Sequence, residues 1–445
     1  MAAPSSRRQV QLVTLIITVF IFSLLQYLIF NSKVGTYVAT TAVDKADEYI
    51  FSRRRKLRVA IVNTQLAHDE VILPLVDAWM QIPQTEITTY QVGYRFGMEK
   101  VLEDSGYPAE MNDYLYAGEF KKIGKDDRYP VPDIVVSTTC IKDTVHMEAT
   151  WKYLLENHHT HFFCVFHHAN QLQNGRSAYA RVMHRLSPYI RADRIDFVAL
   201  SEHVAEYALN DQLARKWPVV KDELHHPPVR VFPPVYYVKT KAEDSNSVGS
   251  GDRAGGFALQ GEYAKGRDYP TVFTHLQDFI EQARARKESE DSINLHLVGF
   301  GQHPDVPNGL EKHVIFDERL DYTEFYGTLS QVDAVLTAFS SDDYYLVKAS
   351  STVPAALIAG TAIIGDKKLL QTYTYLDESV IWMQEEGESD METVGRVLTL
   401  SKEEKAAKKA AVRSWTEDLI EKNYANVREW TEIAMAKFPE DWYLR

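Results

Sequence analysis

The segment from Ser340 to Asp366, SSDDYYLVKASSTVPAALIAGTAIIGD, carries residue types suited to holding an anion. A strand end runs into small polar residues and then a short helix, which Pro354 suits at its first turn and Gly360 at its end. The amides and hydroxyls of Ser350, Ser351 and Thr352 are expected at that helix start, where free N–H groups and the helix dipole attract a group such as a diphosphate. Lys348 lies just before them. An ordinary Ser/Thr cap on a packing helix has the same spelling. A second segment, FALQGEYAKGRDYPTVF at 257–273, ends a strand at Gly261 and places Lys265 and Arg267 ahead of a helix. Charged donors to phosphate oxygens are worth about 1.5–3 kcal/mol each, and arginine can engage two oxygens at once. A third, LHLVGFGQH at 295–303, puts Gly299 and Gly301 at a strand end, where a ligand or a second backbone can approach closely.

Candidate proton acceptors come from the first half of the chain. The loop after the opening strand supplies His68, Asp69 and Glu70, and His68 is the candidate base, while Asp69 and Glu70 read equally well as an acidic helix start. His168, which with His167 directly follows the strand HFFCVF, is the second candidate. His158, His159 and His161 add to a histidine-rich stretch, but they fall at the opposite end of the strand and no carboxylate or thiolate spacing accompanies them. No metal site is therefore expected. Neutral rings bonded to ligand hydroxyls or to backbone are the expectation.

These residues need strand ends to hold them. LRVAIVN at 57–63 is a β-branched apolar strand followed by the helical stretch DEVILPLVDAWMQ, and the rhythm returns in strands at 86–92, 132–138, 161–166 and 195–200. Continuous apolar strands separated by helices indicate a parallel sheet covered on both faces. Residues 57–238 form this first domain. A polar, glycine-rich linker occupies 239–256, and a second alternation over 257–400 has strands near 257–261, 293–299, 313–317, 332–339 and 361–366, with a helix from about Tyr269 to Arg286. Residues 401–445 read as long terminal helices. The fold class is α/β, with two doubly wound Rossmann-like domains facing across a cleft, and the carboxyl ends of both strand sets border that cleft.

The formal charge of −13, with no basic stripe, excludes nucleic acid as an expected partner. Cys140 and Cys164 sit at or near the ends of apolar runs without metal or C-x-x-C spacing, and no disulfide framework is expected. Residues 10–30 carry no charge and read as a transmembrane signal anchor between a short tail (1–9) and a stem (31–56). A type II orientation is favoured, with the bulk of the chain in the endoplasmic reticulum or Golgi lumen, although the flanking charges barely decide and no N-glycosylation sequon occurs.

The order of the pieces resembles the donor-binding domain of GT-B glycosyltransferases of the group-1/family-4 type. The resemblance rests on the strand and Lys-Gly loop at 257–266, LHLVGFG at 295–301, VIF at 314–316 and AALIAGTAII at 355–364, and more loosely on VALSEHV at 198–204 and VRVFPPV at 229–235. It implies a glycosyltransferase, here one anchored in a membrane by residues 10–30, using a nucleotide-sugar donor and a glycan, lipid or small-molecule acceptor, with no cofactor beyond the donor. It further implies that Lys265 pairs with the donor diphosphate, that Gly299 and Gly301 border the nucleotide, and that the helix near Ser351 caps the phosphate. Arg267 and Lys348 add charge, so no divalent metal is required. One departure stands out: the family's E-x7-E motif is missing, since the matching stretch runs from Leu346 to Pro354 with no glutamate at either end. Asp342 and Asp343 are nearby carboxylates. Two other expectations stay open, a noncatalytic nucleotide- or sugar-binding membrane protein and a nucleotide-sugar epimerase.

Overall fold

The computed structural model describes residues 55–172, 182–223, 225–240, 255–263, 266–287, 289–290 and 293–439. The expected anchor at 10–30, most of the stem, linker residues 241–254 and Lys265 lie outside the described residues. Among the described residues no helix is long and apolar enough to cross a membrane.

The first lobe is a seven-stranded sheet built from β1 (Leu57–Asn63), β2 (Thr85–Gln91), β3 (Tyr114–Tyr116), β4 (Ile134–Ser137), β5 (His161–Phe166), β6 (Ile195–Ala199) and β7 (Val229–Val231). Its order is β3-β2-β1-β4-β5-β6-β7, with every pairing parallel. The second lobe is a six-stranded sheet of β8 (Phe257–Glu262), β9 (Leu295–Phe300), β10 (Val314–Glu318), β11 (Ala334–Leu336), β12 (Ile363–Gly365) and β13 (Ile381–Met383). Its order, β10-β9-β8-β11-β12-β13, is again wholly parallel. Strands β4, β5 and β6 are buried along their whole length, which is why they read as mostly apolar runs rather than alternating ones, with Asp196 in β6 paired to His161 and Arg230. Winding reverses between β1 and β4 and again between β8 and β11, so each lobe opens a crevice beyond the carboxyl ends of those strands.

Eight helices position the crevice residues or brace the lobes: α1 (Asp69–Met80), α2 (Met98–Asp104), α3 (Cys140–His146), α4 (Glu202–Tyr207), α5 (Tyr269–Arg286), α6 (Tyr322–Gln331), α7 (Thr352–Ile358) and α8 (Lys402–Met435). Side-chain caps start three of them. Asp268 accepts from the Thr271 amide, Asp321 from that of Glu324, and Ser401 with Glu404 forms a reciprocal box. The carboxyl-terminal region is one 34-residue helix rather than several. Its first half is tied to the second lobe, with Lys409 Nζ donating to Ser330 O at 2.6 Å and Thr416 Oγ1 to Leu357 O at 3.0 Å. Its second half crosses to the first lobe, where Asn423 Nδ2 donates to Pro233 O at 2.8 Å and Tyr424 Oη to Asp77 Oδ2 at 2.6 Å.

The cysteines correct the expectation of no disulfide. Cys140, at the start of α3, is bonded to Cys164 in β5 across 24 residues, and both are fully buried. Cysteine spacing in sequence is silent on this pair, because the parallel pairing of β4 with β5 is what brings them together.

Candidate functional site

At the crevice of the first lobe, Asp143 organises the strand ends. Its carboxylate accepts from Thr64 N and Oγ1 after β1, from Ser137 Oγ in β4, and from Thr139 N and Oγ1, which fixes the two loops flanking the winding reversal. The loop after β1 leads into α1 through His68, a non-glycine residue at φ 69° and ψ 35°. Such left-handed backbone costs an L-residue about 1–2 kcal/mol. Phe96 and Arg319 share the conformation, at φ 48° and 51°, and both line the cleft between the lobes. Backbone strain gathered around one cavity is a mark of a functional site.

The lobes close on each other along two seams. On one, Tyr322 N donates to Phe96 O at 2.7 Å, and the Phe96 ring faces Phe300 at 6.2 Å and Tyr322 at 6.1 Å. On the other, Ala169 N donates to Val347 O at 2.9 Å, His168 pairs antiparallel with Lys348 through the backbone, and His203 on α4 lies 3.0 Å from Lys348 O and 3.2 Å from Thr372 O. The cleft they leave has a volume of about 220 Å³. The first lobe lines it with Glu70, Arg95 and Phe96, and the second with the end of β8, the end of β9, Arg319, Tyr322 and the start of α7.

Among the expected anion-binding residues, Gly261, Gly299 and Ser351 line this cleft and Gly301 lies just past the end of β9. The others are placed differently. Arg267 is 8% exposed, with Nη2 donating to Gln260 O at 2.9 Å and to Thr352 Oγ1 at 2.5 Å, and its guanidinium lies beside the stacked rings of Phe339 and Tyr344, 5.5 and 5.6 Å from their centroids. It fastens the end of β8 to the start of α7 from behind Gly261, and only its Nη1 lacks a partner among the described residues. Lys348 is turned to Asp343 at 2.9 Å, while Asp342 pairs with Lys368 at 2.6 Å, so neither aspartate stands in the cleft as a substitute for the missing glutamates. The start of α7 is largely satisfied within the protein: Ser350 N donates to Tyr373 Oη at 3.1 Å, and Thr352 N to Ser350 Oγ at 3.2 Å. Those two amides are thus spent on internal bonds rather than offered to an anion. Pro354, where the family resemblance has its second glutamate, lines the cleft.

Two cations that the sequence did not single out face the cavity instead, Arg95 and Arg319. Asp69 holds the first in place: it is 1% exposed, and its Oδ2 accepts from Arg95 N at 2.6 Å. Burial pushes the Asp69 carboxyl up to about 6, and that backbone bond only partly offsets the rise. No local pattern marks Arg95, since it follows β2 in an irregular loop.

Two of the histidines pack ring against ring at the first-lobe side of the cleft. His68 Nδ1 is 3.3 Å from Glu70 Oε1, and its ring lies 3.9 Å from that of His167, whose Nε2 donates to Thr138 O at 2.9 Å. Burial, reinforced by His68, pushes His167 down to about 3; burial together with the Lys348 charge pushes His168 down to about 4. Both rings are neutral at pH 7. Burial would raise the Glu70 carboxyl, but the His68 hydrogen bond and charge outweigh it and leave the group below its usual range. Of the two expected bases, His68 adjoins a cleft-lining carboxylate, whereas His168 is committed through its backbone to the seam with Lys348. Among the described residues no group of three or more His, Cys, Asp or Glu side chains is arranged to hold a metal ion.

No protein-family model matches the chain, and no curated protein matches it in sequence. Among solved structures, Anabaena HepE in complex with UDP and glucose aligns with a TM-score of 0.51 at 11% identity, over 84% of this chain and 99% of that one. Sucrose-phosphate synthase from Thermosynechococcus elongatus aligns at 0.49 and 11% identity, over 86% of this chain and 100% of that one. An α,α-trehalose-phosphate synthase (UDP-forming) from Burkholderia vietnamiensis aligns at 0.48 and 8% identity, over 86% and 99%. The likeness to HepE establishes the fold, two parallel-sheet α/β lobes of the GT-B architecture.

Proposed function

We propose that this chain is a membrane-anchored glycosyltransferase that moves a sugar from a nucleotide-sugar donor to an acceptor held on the first lobe. The observation that carries the reading is the cleft at the paired winding reversals, where Gly261, Gly299 and Ser351 of the second lobe meet the cations Arg319 and Arg95. Its greasy floor of Pro354, Ala355 and Ile358, walled by Phe300 and Phe325, suits a nucleoside, and the two guanidiniums suit the diphosphate. The likeness to HepE, whose structure holds UDP and glucose, supports the same donor class. Lys265, in the glycine loop after β8, is a further candidate ligand of the diphosphate. The buried Cys140–Cys164 disulfide supports a luminal, type II placement in the endoplasmic reticulum or Golgi, because such bonds persist in oxidising compartments.

Full-length protein incubated with a panel of nucleotide sugars and acceptors, with nucleotide release as the readout and calorimetric titration of UDP alongside, tests the reading. Release that depends on an acceptor is the expected result. The replacement of the family's glutamates by Leu346 and Pro354 favours a second reading, a noncatalytic binder, which UDP binding without turnover across the whole panel would support. Donor conversion that needs no acceptor would instead point to an epimerase.

A further inference from the structure

Among the described residues, Glu70 is the one lining the cleft that touches both the histidine pair and the opposite lobe. Its Oε1 lies 3.3 Å from His68 Nδ1, while its Oε2 lies 3.4 Å from Tyr322 Oη at the start of α6. An ionised carboxylate only accepts hydrogen bonds, so both neighbours must donate to it. In the neutral ring that places the His68 proton on Nδ1 and leaves Nε2 with its lone pair. The Tyr322 end is equally well fixed. Its amide donates to Phe96 O at 2.7 Å across the seam, its ring stacks on Tyr326 at 5.9 Å and 17°, and Tyr326 Oη meets Tyr236 Oη at 2.6 Å in a buried contact. Tyr322 therefore reaches Glu70 only when the lobes are together. The 3.4 Å separation is long for an O–H···O bond, whose usual length is about 2.7–2.8 Å, so tighter closure has room to strengthen it.

We propose that Glu70 is a positioning residue that fixes the His68 tautomer and, through Tyr322, makes the competence of that base depend on lobe closure. The inference rests on the glycosyltransferase reading and deepens it. In the reaction the acceptor O–H bond breaks and its proton passes to His68 Nε2. The oxygen forms a bond to the anomeric carbon, and the bond from that carbon to the diphosphate breaks, its electron pair leaving with the nucleotide. The imidazolium so formed is stabilised by the Glu70 carboxylate and returns its proton to water when the lobes part. His167, neutral and packed against the His68 ring at 3.9 Å, adds no competing charge.

The test uses full-length protein labelled with ¹⁵N-histidine, the His68 signal being assigned by its loss in His68→Ala, together with steady-state kinetics on UDP-glucose or whichever donor the screen identifies. Wild type should show His68 protonated at Nδ1, and Glu70→Gln should lose that single tautomer. Glu70→Gln should lower kcat about 100-fold with donor KM within about twofold, and Tyr322→Phe about fivefold. Tyr322→Phe should have no added effect in the Glu70→Gln background. A wild-type His68 protonated at Nε2, or a Glu70→Gln variant that loses donor affinity as steeply as kcat, would overturn the proposal. Because Tyr322→Phe leaves the first lobe untouched, it keeps the test decisive should Glu70→Gln fold poorly. If no donor supports turnover, the glycosyltransferase reading fails, yet the tautomer and its response to saturating UDP still decide the role of Glu70.

Discussion

A Cβ on Gly299 would lie 1.9 Å from the carbonyl oxygen of Gly261, directly across the pairing of β9 with β8. Gly299→Ala must therefore spread these strands at the cleft, and it should lower stability in urea by about 1–3 kcal/mol or more while abolishing UDP binding. The sequence marks this glycine as a place of close approach, and the neighbour proves to be backbone as well as cavity. Cations are harder to read. Arg267 and Arg95 are equally plausible in a string of letters, yet one guanidinium is buried against Gln260 and Thr352 beside the Phe339–Tyr344 ring pair and the other faces the cleft. Arg95→Ala and Arg319→Ala should each weaken UDP binding about tenfold in calorimetry, a loss matching one charged donor to phosphate. Lys312→Ala is a suitable control, since Lys312 is paired with Glu290 away from the cavity, and equal losses in all three would remove the anion assignment.

Elements were legible wherever burial was continuous. The expected strand at 161–166 and the helix at 269–286 occur with those bounds, the strand because an apolar run without acidic or basic charge belongs between two layers of helices, and the helix because its apolar residues recur at helical spacing behind Asp268 and Pro270. Short strands escaped. Three-residue β3 and β13 sit at sheet edges and carry too few residues for a pattern to emerge. The disulfide also acts at this scale, holding the start of α3 against the middle of β5. By loop-closure arithmetic it should contribute about 3.5 kcal/mol, so Cys140→Ser with Cys164→Ser should show that loss in denaturant titration, and reduced wild type should behave alike. An unchanged midpoint would show that the pair is not bonded in solution.

At the scale of the whole molecule, folding buries histidines that would rather be charged in acid. Unfolded imidazoles take up protons near the ordinary value of 6.5, whereas folded His167 and His168 resist until about 3 and 4. As pH falls from about 6.5 towards 4 the unfolded chain binds more protons, so stability falls across that window. Asp69 works the other way, since its carboxyl, raised from 3.8 to about 6, is protonated first in the folded state. Among the described residues, five imidazoles held down (His158, His161, His167, His168 and His203) against three raised carboxyls (Asp69, Asp77 and Asp390) leave a net loss, which urea titrations at several pH values should show and His167→Gln should flatten. Alternating apolar and amphipathic runs determined, from sequence alone, that there are two parallel sheets and that the chemically interesting residues stand at strand ends, because those patterns are properties of neighbouring residues. Tertiary structure alone decided which cations meet the cleft, that Cys140 reaches Cys164, and that Glu70 answers Tyr322 from 252 residues away. Such contacts depend on how finished layers pack, and nothing in the spacing along the chain records that.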